Sequence, residues 1–73
     1  MSKLSKPQFE QALKSILFVF ESNYHQFSFT DDSKKAFKFM AQGACQSLAN
    51  NTECDPDIIN PILRDALKII LNK

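Results

Sequence analysis

The chain has 73 residues, nine Lys and Arg against eight Asp and Glu, a formal net charge of +1 and a single Gly. That length holds one domain with one core, and the balanced charge argues against nucleic acid as a partner, since proteins that bind it gather a basic excess on one face. The longest apolar run, Ile16 to Phe20, is five residues and far short of a membrane span.

Ser5-Lys6-Pro7-Gln8 has the form of a capping box. Pro7 is tolerated because first-turn amides have no intrahelical partner. The first helix is therefore expected to begin at Lys6 and run to about Ser22 or Asn23. Phe9, Ala12, Leu13, Ile16, Leu17 and Phe20 recur at three- and four-residue spacing and make one apolar stripe. Phe18 and Val19 fall outside it. A helix apolar around most of its circumference has to be covered on more than one side, and a chain of this size has little with which to do so.

Tyr24 to Phe29 reads as a connection whose three aromatics, Tyr24, Phe27 and Phe29, pack down over the core. Thr30 or Asp31 caps the second helix, expected over 31–50, with a buried face of Phe37, Met40, Ala41, Ala44 and Leu48 and with Ala36 and Cys45 alongside. Gly43 costs about 1 kcal/mol against Ala in a helix interior, which suggests close approach by another helix. Asn50 to Cys54 is a polar break. The third helix, expected over 56–71, has two candidate starts, because Asp55-Pro56 and Asn60-Pro61 each pair an N-cap residue with a proline. A short turn from Pro56 followed by a regular helix from Pro61 is the favoured arrangement. Its core face is Ile59, Ile62, Leu63, Ala66, Leu67 and Ile70; Ile69 and Leu71 widen the apolar arc. The fold class is all-α, a compact three-helix domain.

Little in the chain carries chemistry. His25 is the sole histidine, in the first connection, and no ligand spacing joins it to Cys45 and Cys54. There is no phosphate-binding glycine motif, and an 8 kDa chain has little room for a shielded pocket. Asp31, Asp32, Asp55 and Asp57 lie at helix starts, where capping explains them. The expectation is a non-enzyme without cofactor or metal. Met1 to Gln8 is polar and basic, without the apolar run of an export signal, so a cytoplasmic location and two free thiols are expected, with a Cys45–Cys54 bridge as the alternative. Lys34, Lys35 and Lys38 form a short basic patch behind Asp31 and Asp32, the order that the helix dipole prefers. Asp32-Ser33 has the placement of the phosphopantetheine serine of acyl carrier proteins, but Lys34-Lys35 follows it in place of an apolar residue, and the usual preceding Gly is absent. The connection between the second and third helices is too long for a helix-turn-helix.

From Ser5 to Glu21 the chain resembles the YejL-like family of small helical bacterial proteins, through Ser5, Gln8, Glu10, Gln11, Leu13, Leu17, Val19 and Glu21. Thr30-Asp31 and Asn51-Thr52 continue the pattern. The chain departs from it by an insertion near His25–Phe29 and around Pro56 and Pro61. The resemblance implies a homodimer and no chemistry.

The apolar surplus leads to the same expectation, because a small domain leaves much of its surface wet. The chain is expected to be a self-associating homodimer that binds another protein as adaptor, regulator or inhibitor. Phe18, Val19, Ile69 and Leu71 are the candidate dimer or partner surface, on the first and third helices. A nucleic-acid-associated regulator using Lys34, Lys35 and Lys38 is the alternative, and an acyl carrier modified at Ser33 a remote one.

Overall fold

A computed structural model describes residues 3–73. Three helices follow in order: α1 (Lys6–Phe27), α2 (Asp31–Asn50) and α3 (Pro56–Leu71). There is no β-strand among the described residues, and short connections make successive helices antiparallel neighbours. The result is a compact three-helix domain with a rod-like outline of 38 × 20 × 16 Å.

The two N-terminal caps work by the same reciprocal bonding. Ser5 Oγ accepts from the Gln8 amide at 3.4 Å, while the Ser5 amide donates to Gln8 Oε1 at 3.0 Å. At α2 it is Thr30, not Asp31, that caps: its Oγ1 accepts from the Ser33 amide at 3.0 Å, and its own amide donates to Ser33 Oγ at 3.1 Å. At α3, Asp55 makes no side-chain cap bond, so capping does not account for that carboxylate.

The first helix is a full turn longer than its sequence suggests. Tyr24 meets Phe20 edge-on at 5.5 Å, and Phe27 stacks on Phe37 of α2 at 5.2 Å, which holds the last turn against the bundle. The Ser28 hydroxyl then donates to the Tyr24 carbonyl. The connection shrinks to Ser28–Thr30, His25 moves into the last turn of α1, and Phe29, 78% exposed, covers nothing.

The third helix is continuous from Pro56 to Leu71, without a break at Pro61. Pro61 removes a single amide from the ladder. Asp57, whose carbonyl loses that donor, is exposed and open to water, which makes the loss small enough for packing to override.

The core is Phe9, Leu13 and Phe20 from α1, Ala41 and Cys45 from α2, and Ile59, Leu63, Ala66 and Ile70 from α3. Fully burying one of the large side chains contributes about 1.5–3 kcal/mol. The inward face of α2 is turned from the expected one. Ala41 and Cys45 are buried with Phe37 and Leu48 half-covered, while Met40, Ala44 and Ala36 are exposed. At the other end of the rod, Leu4 pairs with Thr52 in one parallel bridge. The Leu4 amide donates to the Asn51 carbonyl at 2.7 Å and the Glu53 amide to the Leu4 carbonyl at 2.8 Å, so the N-terminal segment clasps the α2–α3 connection.

Candidate interaction surface

Because α2 turns Ala41 and Cys45 inward, its neighbouring row, Met40 and Ala44, is left on the outside. Val19 and Ile16 occupy the corresponding edge of α1. Between the two edges lies an apolar groove of about 350 Å³, floored by Phe20, Phe37 and Ala41. No residue of α3 lines it. Stacking of Phe20 on Phe37 at 5.0 Å fixes that floor.

Of the four residues singled out from sequence, all are exposed: Phe18 at 73%, Val19 at 56%, Ile69 at 42% and Leu71 at 58%. They do not form one surface around the groove. Val19 lines it, while Phe18 lies outside it, in a separate hollow shared with Gln11, Lys14, Ser15 and Val19. Ile69 and Leu71 line neither. Met40, 69% exposed, and Phe39, 75% exposed, are exposed apolar residues of α2 that sequence reasoning did not single out for the surface, and Phe27, Phe29 and Ile58 are others elsewhere in the chain. The signal for Met40 was ambiguous, since its spacing suits either face of the α2 stripe.

Gly43 is exposed, and a Cβ built there would meet nothing within 4 Å. The close approach that a mid-helix glycine suggests does not occur inside the chain.

The remaining candidate chemistry is occupied or dispersed. Lys38 Nζ donates to the Leu71 carbonyl at 3.1 Å, which takes it out of a three-lysine patch. The Ser33 hydroxyl donates to the Thr30 carbonyl at 3.0 Å and serves in the capping box. Both thiols are free, Cys45 in the core and Cys54 half-buried. Burial pushes the Cys45 thiol above its ordinary pKa. Among the described residues, no three His, Cys, Asp or Glu side chains gather where they could hold a metal ion. The Tyr24 hydroxyl is the one buried side-chain polar atom among them without a partner. No described helix is long and apolar enough to cross a membrane.

Comparison with protein-family models, with characterised proteins and with solved structures returns no match.

Proposed function

We propose that the chain is a non-enzymatic, self-associating interaction module. It works as a homodimer that engages another protein as adaptor, regulator or inhibitor, with the α1–α2 face as its seam. The observation that carries this reading is the uncovered apolar groove of Val19, Phe37, Met40 and Ala44. Scattered exposed apolar residues are ordinary on a small protein, but a contiguous apolar hollow marks an interaction site. Of the sequence-derived surface, Val19 lines this groove, while Phe18, Ile69 and Leu71 lie outside it. A homodimer is also what the YejL-like resemblance of the first helix implies.

Light scattering across concentration tests the reading. The wild-type chain is expected at twice its 8.3 kDa mass. Met40→Lys is expected at the monomer mass with its helicity intact, since Met40 is exposed in the single chain. A wild-type monomer at high concentration would overturn the proposal.

A further inference from the structure

We draw no further inference here: the strongest candidate, the apolar groove between α1 and α2 walled by Val19, Met40 and Ala44, belongs to the surface already described, and nothing in the structure shows what covers it.

Discussion

Lys38 and Leu71 are 33 residues apart in sequence, and the ammonium of one donates to the carbonyl of the other at 3.1 Å. The first half of α2 thereby closes the C-terminal end of α3, where unsatisfied carbonyls and the helix dipole both favour a cation. Such a cation contributes about 0.3–1 kcal/mol at an exposed terminus. Lys38→Met keeps the aliphatic stem and removes only the charge. It is expected to lower the thermal midpoint by a few °C, about what that energy amounts to in a domain of this size. The difference should narrow at about 1 M salt, where screening is strong. Lys35→Met is the control, exposed on the same helix, and equal losses at the two positions would show that the cap contributes nothing.

Phe27 and Phe29 differ by two positions, and their environments diverge. Phe27 stacks on Phe37 and closes the last turn of α1, while Phe29 stands in solvent. Phe27→Ala is expected to cost about 1 kcal/mol, given that half of the ring is covered and that an aromatic pair contributes about 0.5–1.5 kcal/mol beyond its area. Hydrogen exchange should speed up at the Tyr24–Phe27 amides in particular, since the stack holds that turn. Phe29→Ala is expected to stay within about 0.5 kcal/mol, as surface substitutions do. Denaturant midpoints and amide exchange on the two variants check both statements. Equal costs would mean that the helix end is held by something other than this stack.

These two aromatics also show where local sequence stops informing. The capping box at Ser5 and Gln8 and the start of α2 at Thr30 were legible because their bonding lies within four residues. The end of α1 was not. No Gly or Pro punctuates Asn23 to Phe29, and the stack that extends the helix depends on a residue ten positions away on α2. The outward turn of Met40 and Ala44 was hidden because α2 is rich in small residues, so Ala41 and Cys45 serve as a core edge as well as Met40 and Ala44 would. The Leu4–Thr52 clasp leaves no local trace, being a pairing across almost fifty residues. An apolar surplus was readable from composition; which helices frame the resulting groove depended on how α2 rotates in the bundle.

Pro61 sits inside α3 and removes one hydrogen bond from it. Pro61→Ala restores an amide facing the Asp57 carbonyl and substitutes the best helix former for the worst, a difference of about 3 kcal/mol in an ordinary helix interior. Two effects reduce the gain. The proline already limits the unfolded chain, by about 0.4–1 kcal/mol, and the exposed Asp57 carbonyl is open to water. The net expectation is a stabilisation of about 1–2 kcal/mol, read as a rise in thermal midpoint with no loss of helicity. A lower midpoint would mean that the helix depends on the bend or rigidity that Pro61 gives to its first turns.

Cys45 is wholly buried and Cys54 partly exposed, with no bond between them. A thiol-specific reagent should therefore label Cys54 in the native protein and reach Cys45 only at the rate of unfolding, because the reactive species is the thiolate and burial disfavours it. The same burial couples Cys45 to stability. Its native pKa is raised from 9.0 by desolvation, so above that pH the unfolded thiol has lost its proton while the native one keeps it. The unfolded state then binds fewer protons than the native state, and stability falls as pH rises, by at most about 1.4 kcal/mol per pH unit for one group. Cys45→Ala leaves a small void in the core, at a cost of about 1 kcal/mol, but removes this titration. Denaturant unfolding at neutral pH and at increasing alkaline pH should show the wild type losing stability faster than the variant, so that the gap between them narrows. Parallel losses would mean that the Cys45 thiol ionises as readily in the folded chain as in the unfolded one.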